Sequence, residues 1–382
     1  MQISDKKKAL IIGGGIGGVT VAIALHRAGF DVTVFERADV LLEVGSGLPL
    51  WSSTLRALKK LELTSILEAL GPPVPAGSIT TWRGEILVDL STEKRLQRLG
   101  TVNAVVHRAE LLALLLEALG EDRVQLATTC VGFTQDETGV WARFADGRIV
   151  YGDLLLGADG LHSVIREQLF GPFKPKYMGY TCWRGVASME RTDLTTYAWG
   201  NGYQIGIFSM SRNRAYWFAQ RNAPEGEQEK ASGRKRNLLE TFHDWHDPIP
   251  TVIEATDESH ILRNDIYQSE PLRHWSRGRV TLLGDAAHAM TPNLGQGACQ
   301  AIEDALALAD CLKAEPNVAA ALQLYEKRRI KRVNRIKWLS GLVGPAVQME
   351  NPLVVRARNA LVKRIPMGLI VQRLMWLLDY NP

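Results

Sequence analysis

Lys8-Ala9-Leu10-Ile11-Ile12-Gly13-Gly14-Gly15-Ile16-Gly17-Gly18, running on through Val19 to Ala28 and then Asp31-Val32-Thr33-Val34-Phe35-Glu36, is the stretch on which the fold turns. Ala9 to Ile12 is apolar without interruption, as a strand covered on both faces requires. Glycines follow, then apolar residues at helical spacing from Val19 to Ala28, then a second strand over 31–35. The order is strand, helix, strand, which places the first two strands side by side and parallel.

The spacing Gly13-x-Gly15-x-x-Gly18 falls at the turn between strand and helix. There glycines allow a tight turn, close approach of backbone to a pyrophosphate, and close helix–strand packing. Glu36 ends the second strand, 18 residues after Gly18, where a carboxylate accepts from ribose hydroxyls. An acid at this place favours an unphosphorylated ribose, so FAD or NAD rather than NADP.

Working outward, Leu55 to Leu70 and Arg108 to Leu119 carry helical spacing. Gly139 to Tyr151 alternates around Asp146-Gly147, a strong hairpin signal. Leu154-Leu155-Leu156 reads as another buried strand. Between Tyr177 and Leu272 short alternating runs, such as Tyr203 to Met210 and Ala215 to Arg221, predict a second, mostly antiparallel sheet. The buried-strand pattern returns at Val280-Thr-Leu-Leu, followed by a helix from about Gly297 to Leu312. The tail from Val318 to Leu378 is helical in pattern, interrupted by Pro345, Pro352 and Pro366. The expected organisation is an α/β protein: a Rossmann-like domain that binds the FAD or NAD, from 1–176 and 273–335, an inserted mostly antiparallel β-sheet substrate domain over 177–272, and C-terminal helices over 336–382.

Composition narrows the function. The 382 residues are 46% hydrophobic and carry 45 Lys and Arg against 41 Asp and Glu, a net charge of +4. That balance argues against nucleic acid and for small-molecule partners. Cys130, Cys182, Cys299 and Cys311 are scattered, with no C-x-x-C and no glycosylation sequon, which points to the reducing cytoplasm. The N-terminal apolar run is too short for a signal peptide, and no apolar stretch is long enough to span a membrane. His243-x-x-His246-Asp247 has one-turn spacing but no second ligand cluster, so no metal is expected. Neither a G-x-S-x-G elbow nor a Walker A motif is present, which removes the basis for a hydrolase or kinase.

Two further segments decide between FAD and NAD. Asp153 to Arg166, containing Asp159-Gly160, and Gly278 to Gly297, containing Gly284-Asp285-Ala-Ala-His288 and Thr291-Pro292-Asn293-Leu294-Gly295-Gln296-Gly297, resemble the paired motifs of class A flavin-dependent aromatic hydroxylases, the para-hydroxybenzoate hydroxylase-like superfamily. With the Gly-rich turn they stand in that family's order over nearly the whole chain. The resemblance implies that Gly13, Gly15 and Gly18 approach the FAD pyrophosphate, that Glu36 holds the ribose, and that Arg37 lies on the adenine side. It further implies flavin contacts for Ser46, Gly47 and Arg108, a role for Asp159 toward FAD and the nicotinamide donor, and a ribityl contact for Asp285. Ser163 and Arg166 would brace the turn after Asp159. Gly295, Gly297 and Ala298 would present backbone amides to the flavin pyrimidine edge at a helix N-terminus. His288 is expected to support its loop rather than act as a base.

The implied reaction is a monooxygenation. NADH or NADPH docks transiently and reduces FAD, O2 adds as a C4a-hydroperoxide, and one oxygen atom passes to an aromatic, heteroaromatic or alkene substrate. The expected catalytic residues are Arg184, for an anionic substrate or a structural ion pair, Tyr216 as a phenolic relay, and Pro292 and Asn293 in the flavin-side turn. Leu48, Trp51, Tyr203, Ile207, Phe218 and Leu294 are expected to line the substrate. Asn293 puts no carboxylate in that turn, so a substrate activated by its own enol, phenol or amine fits better than base assistance. Urate hydroxylases share the architecture but have a proposed acid in this loop, and the turn also resembles that of alkene epoxidases. Two rival functions share some of these motifs: an oxygen-independent flavin reductase of the geranylgeranyl-reductase type, and a non-catalytic binding protein on the same scaffold. Lys327 to Lys337 holds seven basic residues, expected to be a solvated helix face, with NAD(P)H phosphates or peripheral contact with an anionic membrane as the alternatives.

Overall fold

The apolar run at the start of the chain forms β1 (Lys8–Ile12), whose residues Ala9 to Ile12 are buried inside a six-stranded sheet. The computed structural model describes residues 6–41, 46–63, 66, 68, 77–90, 104–189, 195–230, 232–378 and 380–382. After β1 come α1 (Ile16–Arg27), β2 (Asp31–Phe35), β3 (Gly47–Leu50), α2 (Ser52–Lys60), β4 (Ser78–Thr81), β5 (Ile86–Asp89), β6 (Ala104–His107) and α3 (Arg108–Leu119). Then follow β7 (Val124–Gln125), β8 (Cys130–Gln135), β9 (Val140–Phe144), β10 (Ile149–Gly152), β11 (Leu154–Gly157), α4 (Val164–Phe170) and the long β12 (Lys176–Ser188). The middle of the chain supplies β13 (Thr195–Trp199), β14 (Tyr203–Met210), β15 (Arg214–Asn222), α5 (Arg234–Phe242), α6 (Ile249–Glu254) and β16 (Leu262–Gln268). Last are β17 (Ser276–Arg277), β18 (Val280–Leu282), α7 (Asp285–His288), α8 (Gly297–Ala314), α9 (Val318–Val347), α10 (Pro352–Arg364) and α11 (Met367–Leu378).

β1 pairs in parallel with β2 and with β11, and β11 pairs in parallel with β18, so Leu10 lies between Thr33 and Leu155. The sheet order is β17-β18-β11-β1-β2-β7. β18 therefore returns to a sheet begun far earlier in the chain. The Asp146-Gly147 hairpin forms between β9 and β10, with Gly147 at φ 87° and its N–H on the Phe144 carbonyl at 3.1 Å. β8 completes a separate three-stranded sheet.

The second large sheet has seven strands in the order β16-β12-β15-β14-β13-β4-β5. It is antiparallel except where β13 pairs in parallel with β4. Two of its strands, β4 and β5, come from outside 177–272, a pairing that no local pattern announces. One face is covered by α5 and α6, which bury Trp217, Ile205 and Ile207 with Phe242, Val252 and Ile253. The other face looks toward the first sheet.

The expected helix over 55–70 is seen as α2 from Ser52 to Lys60; most of 64–76 lies outside the described residues. The three prolines act differently from one another. Pro345 sits inside the last turn of α9, Pro352 begins α10 where its missing N–H costs nothing, and Pro366 separates α10 from α11. Among the described residues no helix is long and apolar enough to cross a membrane.

Candidate active site

Each glycine of the first turn is required for its own reason. Gly13 has φ +110°, and a Cβ there would lie 2.3 Å from the Ala158 carbonyl oxygen. At Gly18 a Cβ would lie 1.9 Å from the Gly13 oxygen, so helix and strand could not close together. A Cβ on Gly15 would meet nothing within 4 Å: the space in front of it is open. α1 also has no side-chain cap and no acid in its first turn. An open space before uncapped N–H groups at the positive end of a helix suits a diphosphate.

Glu36 stands at the end of β2 beside this cradle. Its Oε2 accepts from the Gly14 N–H at 2.7 Å and its Oε1 from the Ala38 N–H at 2.9 Å. The backbone thus fixes the carboxylate, whose remaining lone pairs can accept ribose hydroxyls. Arg37 is exposed next to it. Ser46 accepts the Arg108 N–H through its carbonyl at 2.9 Å, which joins the bend before β3 to the start of α3.

The second motif is a brace. Asp159 accepts from the Ser163 hydroxyl at 2.5 Å and from the Ile165 N–H at 3.2 Å, while Ser163 caps α4 by accepting the Arg166 N–H. Burial pushes the Asp159 carboxyl up, against those hydrogen bonds. The Arg166 guanidinium reaches the Ala286 carbonyl at 3.3 Å and the Glu270 carbonyl at 3.2 Å. Asp159 therefore shapes the turn from inside, together with the two residues expected to brace it.

Asp285 behaves oppositely. Its neighbours Gly284 and Ala286 to Ala289 are buried, whereas its own side chain is exposed. A Cβ on Gly297 would lie 3.9 Å from the Asp285 Oδ1, which puts the carboxylate beside the N-terminus of α8. That terminus has no side-chain cap and no acid in its first turn. Before it Pro292–Leu294 makes a single 3-10 turn, and Gly295 is left-handed at φ 59°, where a Cβ would strike Pro49 at 2.7 Å.

Beneath Asp285 the polar groups are buried and paired. His288 Nε2 meets the Asp304 Oδ2 at 2.6 Å, the Arg329 Nε donates to the Asp304 Oδ1 at 2.7 Å, and the Arg329 Nη1 donates to Glu303 at 2.9 Å. Arg329, Glu303 and Asp304 have no exposed surface. Burial alone would raise the Asp304 carboxyl, but His288 and Arg329 outweigh it and hold it low. The imidazole of His288 is thus committed to the loop's foundation.

The face of the second sheet opposite α5 and α6 completes the site. Strand pairing puts Tyr180, Cys182, Arg184 and Val186 of β12 beside Tyr216, Phe218 and Gln220 of β15, with Phe208 and Gln204 of β14 beyond. The Asn293 amide donates to the Tyr180 hydroxyl at 3.1 Å and to the Ser340 carbonyl at 3.0 Å, so this face and α9 grip the Pro292–Leu294 turn. Gly47, which could have been a mere turn glycine, is in β3, and a Cβ there would fall 2.2 Å from the Tyr216 Cγ. Burial pushes the Tyr216 phenol far above its ordinary range, so its hydroxyl stays protonated. Arg184 donates to the Asn264 side-chain oxygen at 2.6 Å, and of its two expected roles the structural ion pair finds no carboxylate among the described residues. Among the described residues named on this face none is acidic.

Of the residues expected at the site, Trp51 lies against Gly295, Tyr216 against Gly47, and Asn293 against Tyr180, which shares an apolar cluster with Phe218. Tyr203 and Ile207 lie elsewhere: both point to the α5–α6 side, Ile207 opposite Trp217 and Tyr203 against Phe242. The opposite parity of β14 faces the site, with Phe208 beside Tyr216 and Gln204 beside Gln220. Leu48 likewise packs on the first core, while its neighbour Pro49 faces Gly295. Tyr180 was missed because its role depends on a contact 113 residues away. The His246 ring bonds Thr80 at 3.0 Å, and among the described residues no three His, Cys, Asp or Glu side chains are grouped to hold a metal.

Known proteins resemble this chain over nearly its whole length. The family model described as "FAD binding domain" matches residues 6–338. The chain is 40% identical over 376 residues to the aurachin C monooxygenase/isomerase of Stigmatella aurantiaca, covering 98% of each protein. It is 35% identical over 364 residues to the chloroplastic zeaxanthin epoxidase of Oryza sativa subsp. japonica, covering 88% of this chain and 54% of that one. The crystal structure of Klebsiella pneumoniae HpxO complexed with FAD and uric acid superposes with a TM-score of 0.90 at 30% identity, covering 97% of this chain and 96% of that chain.

Proposed function

The chain belongs to the FAD-binding domain family and is an FAD-dependent monooxygenase, and from that premise we propose that it hydroxylates or epoxidises a neutral, lipophilic, electron-rich heteroaromatic or alkene with O2 and transiently bound NADH or NADPH. The observation that carries the substrate class is the mostly aromatic face of Tyr180, Cys182, Phe208, Tyr216 and Phe218, turned toward the Asn293 turn, on which the cation Arg184 is already engaged by the Asn264 side chain. Aurachin C, named for the relative that matches end to end, is the first compound to offer.

Bound FAD supplies electron transfer and oxygen activation. The chain's own residues do the rest. The uncapped start of α1 and the carboxylate of Glu36 hold the diphosphate and ribose, and Asp285 accepts a ribityl hydroxyl. The N–H groups of Gly297 and Ala298 lie at the positive end of α8, where they favour negative charge. The buried aromatic face keeps water from the reacting centre. The protonated Tyr216 can donate a hydrogen bond but cannot serve as a base near neutral pH, and Asn293 is held by Tyr180 and Ser340. Activation therefore has to come from the substrate's own enol, phenol, amine or double bond. Arg184, without an acid partner, stabilises partial negative charge on a substrate oxygen. The four buried free thiols support placement in the reducing cytoplasm.

The deciding experiment follows NADH and NADPH oxidation by the FAD-loaded protein in air, with aurachin C, phenols, purines and alkenes, and weighs the products. A neutral heteroaromatic or alkene that accelerates flavin reduction and gains one oxygen atom is the expected result. Reduction of the substrate with no oxygen gained would favour the reductase reading, and acceptance of only carboxylate-bearing substrates would overturn the neutral class.

A further inference from the structure

Helix α10 has its polarity reversed. It buries Val355 and Arg358, the latter bonded to the Val347 carbonyl and lying over the Trp199 ring at 5.3 Å, while Leu353 and Leu361 are 72% and 65% exposed. Val354 and Ile365 are exposed beside them. The same holds at the end of α9, whose inner side carries Ser340 and Gly344 against the Asn293 turn and whose outer side carries exposed Trp338 and Leu342. Leu369 of α11 is exposed as well. Half of the molecule's fourteen exposed large apolar side chains among the described residues thus fall within 338–369. Scattered exposed leucines need no explanation, but a concentration of this kind marks an interaction surface.

The charge of the segment says what it meets. From Lys327 to Leu378 there are twelve Lys and Arg and one acid, Glu350, in a chain whose total is only +4. Arg329, Lys337 and Arg358 are buried, but Lys331 and Arg335 are exposed at helical spacing from Trp338 and Leu342 on α9, and Arg356 and Arg364 are exposed at helical spacing from Leu353 and Leu361 on α10. A face of leucines and a tryptophan bordered by lysine and arginine matches the boundary of an anionic bilayer, apolar side chains entering the acyl edge and basic heads reaching the phosphates. We propose that α10 and the outer side of α9 form a docking face for an anionic phospholipid membrane, which holds the enzyme at the surface without spanning it. The face is one helix away from the Asn293 turn, so a lipophilic compound dissolved in the bilayer would be delivered near the site. The docking itself does not depend on the substrate proposed above.

The test is co-sedimentation of the FAD-loaded full chain with vesicles of phosphatidylcholine, and of phosphatidylcholine in which about a quarter is replaced by phosphatidylglycerol. Binding to the anionic vesicles is expected to be at least about tenfold stronger than to the neutral ones and to weaken with salt. The pairs Leu353→Ser with Leu361→Ser, and Arg356→Glu with Arg364→Glu, should each lower it by about tenfold with flavin content and melting temperature unchanged, since all four side chains are exposed. Wild-type protein left in the supernatant, equal binding to both vesicles, or full binding by both variant pairs would overturn the proposal. So would a lipid-free dimer that the double serine variant converts to monomer, because the face would then belong to a second copy of the chain.

Discussion

Asp285 and Lys337 show how much depends on where a single charge sits. The Asp285 side chain faces outward from a buried turn, so Asp285→Ala should leave the melting temperature of the apoprotein nearly unchanged while weakening FAD binding about tenfold, the effect of losing one charge-assisted hydrogen bond; flavin titration and calorimetry check both halves. Gly47 faces the opposite demand, since its missing side chain is the space occupied by Tyr216. Gly47→Ala should cost about 1–3 kcal/mol of stability and impair turnover, read by denaturant unfolding and substrate oxidation. Lys337 is buried behind the Asp285 turn with the Ser269 hydroxyl at 2.8 Å, and burial with the nearby Arg166 lowers it to about 7, against attraction by Asp285 and Glu270. Between about pH 7 and the ordinary lysine range the unfolded chain holds a proton that the folded chain lacks, so stability rises with pH across that window and is lowest below it. Replacing it, Lys337→Met, should raise stability at pH 7 and flatten the difference between pH 7 and 9 in denaturant titrations.

Elements carried most of their information in the sequence, and their orientation did not. Periodicity located β1, α1, β2, α3 and the Asp146-Gly147 hairpin because each is a local pattern of burial or turn chemistry. Alternation in β14 was equally clear, but which parity faces the site is decided by α5 and α6 settling on the far side, and so Ile207 and Tyr203 fell on the wrong face. Asn293 was legible as a residue without a carboxylate, whereas its grip by Tyr180 and Ser340 required strands and helices to meet over more than a hundred residues. The clamp joining α7, α8 and α9 is of the same kind: Arg329 and Lys337 are two of seven basic residues in a run, and nothing local marks them as the ones with almost no exposed surface. Because Asp304 would keep only His288 among its side-chain partners and Glu303 only Arg332 at 3.3 Å, Arg329→Ala should destabilise the protein by about 3 kcal/mol, measured by equilibrium unfolding.

At the scale of the whole molecule the two large sheets are tied at several points. The C-terminal segment lies across α2, with the Ser52 hydroxyl and the Arg56 guanidinium both donating to the Leu378 carbonyl and Arg56 also reaching the Tyr380 carbonyl at 2.7 Å. Arg332 donates to the Leu377 carbonyl and lies over the Tyr380 ring at 3.8 Å. Removing residues 367–382 should therefore lower the melting temperature by several degrees and loosen FAD, seen as flavin lost on gel filtration. α9 runs past both sheets over about 45 Å: Arg329 and Ser340 hold α8 and the Asn293 turn, and beyond its end Gln348 and Met349 bond Asn222 of β15 and Gly202 in the turn before β14. A rod fastened at both ends acts as a splint. The halves of the molecule cannot swing apart like jaws, so traffic through the buried centre has to pass by local gating of short segments, and the enzyme's opening rate becomes a property of its loops rather than of a hinge.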